Sequence, residues 1–193
     1  MELQTITTGS LHNDTYILSN SHKECLIIDA AAPLEDVIAI TQGLKVMAVI
    51  LTHAHYDHIQ FLDEIMSHFK IKGYIHKNEI EKLYEPDLNY SRVFNAIKVC
   101  SEPVEHFNLL EDKEEFKIGH FNVKTFLTKG HTNGSICIEV DDKFFTGDTL
   151  LHWSCGRTDL LTGSEEDMQK SLKWIRENYA GREYYSGHGK KGI

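Results

Sequence analysis

The sequence crowds four metal-binding side chains, His53, His55, Asp57 and His58, into the stretch Thr52-His53-Ala54-His55-Tyr56-Asp57-His58. Imidazole and carboxylate together suit zinc, with iron and manganese also compatible. His53 and His55 are two residues apart just past an apolar run, so extended backbone points both to one side. Asp57 and His58 follow, where a helix is expected to begin, and turn toward a neighbouring position. A polar turn with solvated histidines is the bland alternative. Three imidazoles and a carboxylate beside an apolar strand are hard to satisfy without a cation, which weighs against it.

Three more groups repeat that placement. His131 lies in Lys129-Gly130-His131-Thr132-Asn133-Gly134, Asp148 in Thr146-Gly147-Asp148-Thr149 and His188 in Ser186-Gly187-His188-Gly189. Each follows a strand-like segment and adjoins a glycine, which lets the backbone turn tightly and approach a ligand. Singly, each reads as a turn residue as readily as a ligand. Together they put polar groups at strand ends, the edge where α/β sheets carry their sites.

Hydrophobic patterning gives the elements that must position these groups. Segments 3–7, 15–19 and 25–29, separated by polar turns, read as an antiparallel meander. Pro33 opens a helix that Gly43 ends, and 47–51 is apolar throughout, as in a strand buried on both faces. A helix is predicted over 58–69, then a strand over 73–76 and a short helix over 77–84. Residues 86–103 are weakly patterned and read as an insert or lid, with a helix over 90–99 the candidate element. Further strands are expected over 116–118, 121–127, 135–140, 143–146 and 183–186. A helix over 165–179 is capped by Ser164. The picture is a mixed α/β domain.

At 193 residues the chain fits one domain, taken as 1–193. Lys plus Arg number 20 and Asp plus Glu 29, giving a net charge of −9. That balance argues against nucleic-acid binding, which relies on basic residues to displace counterions. No apolar run approaches the roughly 20 residues of a membrane span, and the opening residues lack a signal-peptide pattern. Cys25, Cys100, Cys137 and Cys155 are scattered without a CxxC pair, so free thiols in a reducing, cytoplasmic compartment are expected. The expected partner is a small molecule, with neither nucleic acid nor membrane involved.

THAHYDH, GHTNGS, FTGDTLL and SGHGKKG, in this order, closely resemble the metallo-β-lactamase superfamily. The stretch from Asp148 through Gly156-Arg157-Thr158-Asp159-Leu160 is similar to its glyoxalase II-like (hydroxyacylglutathione hydrolase-like) branch. The resemblance implies a four-layer αββα sandwich of two mixed sheets with helices outside. It also implies two divalent metal ions: His53, His55 and His131 on one, Asp57, His58 and His188 on the other, and Asp148 bridging. Asp57 and Asp148 are then the candidate catalytic carboxylates. Two such ions hold a hydroxide at neutral pH, because metal binding lowers the pKa of water, and that hydroxide attacks a carbonyl. The implied activity is hydrolysis of a thioester of the hydroxyacylglutathione type, with Cys137 and Cys155 as bystanders. Arg157 matches a basic position that holds a glutathione carboxylate, although an ion pair with Asp159 that shapes the turn is the stronger expectation. The helical domain that follows in glyoxalase II is absent from this sequence, so acyl group and thiol carrier stay open.

The same stretch also resembles a persulfide dioxygenase, which would use one iron held by His53, His131 and Asp148. The Gly187-His188-Gly189 ending favours the dinuclear hydrolase. His12, His22, His68, His76, His106 and His120 fit no ligand spacing and read as surface or packing residues, while His152 is a candidate for the pocket border.

Overall fold

Along β3 (Glu24–Ile28) the side chains divide by parity between two cores. Cys25 and Ile27 pack with Val37, Leu62, Ile65 and Met66, whereas Leu26 and Ile28 face Phe121, Ile136, Ile138 and Phe145. A strand apolar on both faces demands a layer on each side. The computed structural model describes residues 1–189 and supplies both layers. The Lys190-Lys191-Gly192 end of the SGHGKKG motif lies outside the described residues.

The first sheet runs β1 (Glu2–Thr8), β2 (Asn13–Ser19), β3, β4 (Lys45–Ile50), β5 (Lys72–His76) and β6 (Phe107–Leu110), in spatial as in chain order. β1 to β3 form the expected antiparallel meander, and β3 to β6 are parallel. The second sheet has the order β11 (Tyr185–Ser186), β10 (Lys143–Gly147), β9 (Ile136–Val140), β8 (Phe121–Leu127), β7 (Glu115–Ile118). All its pairings are antiparallel except β10 with β11. Helices α1 (Leu34–Ile40) and α2 (Leu62–Phe69) cover the outer face of the first sheet. α3 (Glu165–Tyr179) covers the second through Ile175 and Trp174, packed with Cys137 and Phe144. This is the four-layer αββα sandwich that the resemblance implied.

The β3/β4 register slips between the Cys25–Val46 and Leu26–Ala48 pairs. A one-residue bulge reverses the facing of everything beyond it. Val46 and Val49 therefore face the helices while Ala48 and Ile50 face the other sheet.

Five elements differ from the sequence expectation. α2 starts at Leu62, not at 58, because the His58 carbonyl accepts from Ala30 N (2.7 Å), a bond to another segment, and residues Tyr56–His58 form a 3₁₀ turn. Residues 90–99 are turn and coil, since Tyr90 and Asn95 have left-handed φ of 64° and 56°, which interrupt a helix. Lys77–Leu83 is 3₁₀ rather than α, and the last strand is only Tyr185–Ser186. β6 went unread because it is a short edge strand with no alternation.

Within the Lys77–Leu83 turn, Glu79 and Lys82 are both buried, 0% and 2% exposed, and pair at 2.5 Å. Glu79 also accepts from Ala54 N (2.9 Å) and Thr132 Oγ1 (2.7 Å). One carboxylate thus ties the loop after β4 to the loop after β8. Lys82→Met, which leaves that carboxylate without its cation, should cost about 3–5 kcal/mol in urea unfolding. Adding Glu79→Gln should recover most of the loss. A single variant within about 0.5 kcal/mol of the parent would show that the two remaining hydrogen bonds suffice.

Candidate metal centre

Five loop segments deliver seven side chains to one end of the sandwich. The chain leaves β4 through Thr52 and presents His53 and His55; the 3₁₀ turn adds Asp57 and His58. The loops after β8, β10 and β11 bring His131, Asp148 and His188. His53 Nε2 and His131 Nε2 lie 3.1 and 2.8 Å from His55 Nδ1. His58 Nε2 is 3.3 Å from His188 Nε2, which is 3.6 Å from Asp57 Oδ2. Asp148 stands between the two sets: Oδ1 is 3.5 Å from His58 Nε2, and Oδ2 is 3.4 Å from His131 Nε2 and 3.2 Å from His188 Nε2. Three overlapping donor groups result, His53/His55/His131, His53/His58/Asp148 and Asp57/His58/His188, each with ligand atoms within 4.8 Å of one another.

Hydrogen bonds on the far side of four of the rings decide which nitrogen faces inward, while the far Nε2 of His55 is buried without a partner. His58 Nδ1 donates to Asp29 Oδ2 (2.9 Å), His131 Nδ1 to Arg157 O (2.8 Å) and His188 Nδ1 to Leu11 O (2.9 Å). Carboxylates and carbonyls only accept, so Nε2 of each ring is left facing the cluster. Thr52 donates to Asp29 Oδ2 (2.8 Å), which leaves its hydroxyl oxygen to accept from His53 Nδ1 at 3.2 Å. Asn13 Nδ2 donates to Asp57 Oδ2 (2.9 Å).

These donors fit cations. His53 and His131 aim inward lone pairs at His55 Nδ1 from about 3 Å, and a single hydrogen on that nitrogen can satisfy only one of them, whereas a positive charge among the three satisfies all. Asp148 Oδ1 is buried without a hydrogen-bond partner. Burial, and then the neighbouring histidines, hold His53 and His55 well below the usual imidazole pKa. On His58 burial opposes charge but is outweighed by Asp148, Asp29 and Asp57, which raise its pKa well above the usual value. Burial likewise pushes Asp148 up, and His58 and His188 outweigh it, leaving the carboxyl well below its usual range. The set is already organised by charge.

All seven expected site residues therefore converge. Arg157 lies at the rim, exposed, with Nε and Nη2 each 2.7 Å from Asp159, and its carbonyl is what orients His131. His152 borders a neighbouring depression beside His188, outside the main cleft. His12, His22, His68, His106 and His120 are exposed, and His76 is buried as a cap that accepts from Asn78 N. Cys137 is buried, its thiol pushed up to about 12 by burial, whereas Cys155 lines the cleft. Sequence reasoning missed Asp29, Asn13, Glu79 and Tyr90. Asp29 had a usable signal, an acid closing a strand buried on both faces.

The chain matches the metallo-beta-lactamase superfamily over residues 8–188. It is 35% identical over 176 residues to the probable metallo-hydrolase YqgX of Bacillus subtilis, covering 89% of this chain and 82% of that protein. A hydroxyacylglutathione hydrolase of Photobacterium profundum is 29% identical over 195 residues, covering 95% and 68%. Among solved structures, the BLEG-1 B3 metallo-beta-lactamase superposes with a TM-score of 0.88 at 32% identity, over 98% of this chain and 93% of that one. With this sandwich and this His/Asp cluster, the chain belongs to the metallo-beta-lactamase superfamily of metallo-hydrolases.

Proposed function

We propose that the chain is a dinuclear metal-dependent thioesterase of the glyoxalase II-like kind, sharing the chemistry of hydroxyacylglutathione hydrolysis with the thiol carrier left open. His53, His55 and His131 hold one cation, Asp57, His58 and His188 hold the second, and Asp148 lies between them. The position of Asp148 carries the reading: a buried carboxylate flanked by His131 on one side and by His58 and His188 on the other. When bound, the cations supply a hydroxide near neutral pH and polarise an acyl carbonyl. Histidine and carboxylate donors in this number suit zinc.

The chain's own residues do the rest. Asp29 and Thr52 fix the orientation of His58 and His53, so the donors need not reorganise. Asp57, held by Asn13, is the more exposed of the two carboxylates and would take the proton that the attacking water loses and pass it to the departing thiolate, so that thiol and acid are the products. Arg157 serves as a substrate contact only where a substrate carboxylate displaces Asp159. The Asp57/His58/His188 group favours this reading over the mononuclear dioxygenase, which would leave it idle. The similarity to a B3 metallo-beta-lactamase makes a β-lactam amide the second substrate to assay.

Metal analysis of protein purified without added metal should find two ions per chain. Asp148→Ala should lose most of both, and His188→Ala should keep about one. A fully loaded protein with a single ion, unchanged in His188→Ala, would reject the dinuclear assignment.

Asp29→Asn should weaken metal binding about 10–100-fold, read by chelator competition, because His58 loses its anionic partner. Unchanged affinity would confine Asp29 to a structural role.

Under argon, a lactoyl thioester should release equal amounts of thiol and acid. Oxygen uptake with glutathione persulfide by an iron-loaded protein, without thioester turnover, would favour the dioxygenase. Opening of a β-lactam in place of thioesters would move the reading to that amide.

A further inference from the structure

The metal cluster forms the floor of a cleft of about 490 Å³, a size that suits a small-molecule ligand. Its walls are apolar. Leu11, Tyr56, Tyr90, Phe94, Leu151 and Leu160 line it above the cluster. Outside the cluster, the charged side chain lining the cleft among the described residues is Arg157, and its guanidinium is already bidentate with Asp159. A glutathione carrier brings two carboxylates and one ammonium group. Among the described residues these walls offer it no uncommitted cation, on a chain whose net charge is −9.

Residues 86–103 build one wall, and they are pinned. Asn89 is fully buried, its Nδ2 donating to the carbonyls of Lys82 and Lys98 (2.9 Å each), while its own carbonyl accepts from Tyr56 N (2.9 Å). Tyr90 sets its ring edge-on to His55 with centroids 5.4 Å apart, and its hydroxyl accepts from Leu161 N across the cleft. From that base Phe94, 54% exposed, stacks on Tyr56 at 5.1 Å beside Val93, 71% exposed. Large apolar side chains held in water on a pinned segment, beside a reactive site, mark a binding surface for apolar matter.

We propose that the cleft selects thioesters with an apolar group, hydrocarbon or aromatic, next to the scissile bond, and disfavours charged, peptide-like carriers. This rests on the thioester reading. The apolar group lies along Tyr56 and Phe94, opposite Leu11 and Leu160. Affinity then comes from area taken out of water rather than from charge pairing.

Two substrate series test it. One varies the acyl chain from acetyl to octanoyl on N-acetylcysteamine; the other keeps acetyl and varies the thiol from ethanethiol to octanethiol. Lactoylglutathione serves as the charged comparison. In at least one series kcat/KM should rise with each methylene, by up to about fourfold, and exceed the value for lactoylglutathione. The series that rises identifies which side of the bond the wall holds. Phe94→Ser should flatten that slope while metal content and Tm stay at parent values, which a general loss of structure would not give.

Binding of methylthiomethyl alkyl ketones, which carry a carbonyl but no hydrolysable bond, is measured by calorimetry on the metal-loaded protein. If no thioester is cleaved yet these ketones bind more tightly with chain length, and Phe94→Ser abolishes the trend, the thioesterase reading falls and the apolar cleft stands. Thioester turnover with no chain-length trend, or lactoylglutathione outpacing both series, would overturn the proposal.

Discussion

The Asp29 carboxylate is the interaction on which the rest of the centre depends. It closes β3 in a left-handed conformation, φ 59°, which aspartate tolerates better than most residues. There it accepts from Thr52 N, Thr52 Oγ1 and His58 Nδ1, all within 2.9 Å. The first two bonds fix the exit of β4, and with it the direction of His53. The third fixes the ring of His58. A single buried acid therefore sets two inward-facing nitrogens, and its own burial is tolerated because three donors satisfy it.

Glu79 is a second anchor of the same kind, reaching from the opposite side. Its oxygens hold Ala54, between two cluster histidines, and Thr132, beside a third, while Lys82 neutralises it. Lys82 in turn binds the Asn78 carbonyl and Asn133 Oδ1, so the cation is also fully used. Two anchors on different strand connections leave the floor of the cleft little freedom. Sites that must hold several donors in one geometry need such support, because an error near 1 Å is enough to spoil it.

The wall follows different physics. Floor residues are polar, mostly buried and, His55 apart, hydrogen-bonded on the side away from the cleft; wall residues such as Val93 and Phe94 are exposed and apolar. The floor fixes where chemistry happens. Beyond Asn89 and Tyr90, which touch the floor, the outward side chains of this segment without regular structure can vary without disturbing the donors beneath them. Fold and cluster belong to the superfamily, and on the proposal above the choice of substrate falls to this segment and the loops that face it.

Much of this was legible in the sequence. All seven cluster residues stood out because short spacing and adjacent glycines mark strand ends without any knowledge of tertiary contacts. The meander, the doubly buried β4 and the capped α3 followed from periodicity and composition, which act locally. The anchors were a different matter. Glu79 acts across 53 residues on Thr132, so no local pattern distinguishes it from an ordinary surface acid; Asp29 closes a doubly buried strand, a local signal, but its action across 23 residues on Thr52 is not written there. The start of α2 was set by a bond from Ala30, and β6 by pairing with β5 alone. The apolar cleft exists only because Leu11, Phe94 and Leu160 arrive at one place from three distant segments. Local backbone preference writes elements and motifs into the sequence; hydrogen bonds and apolar walls between distant segments come into being only when the chain has folded.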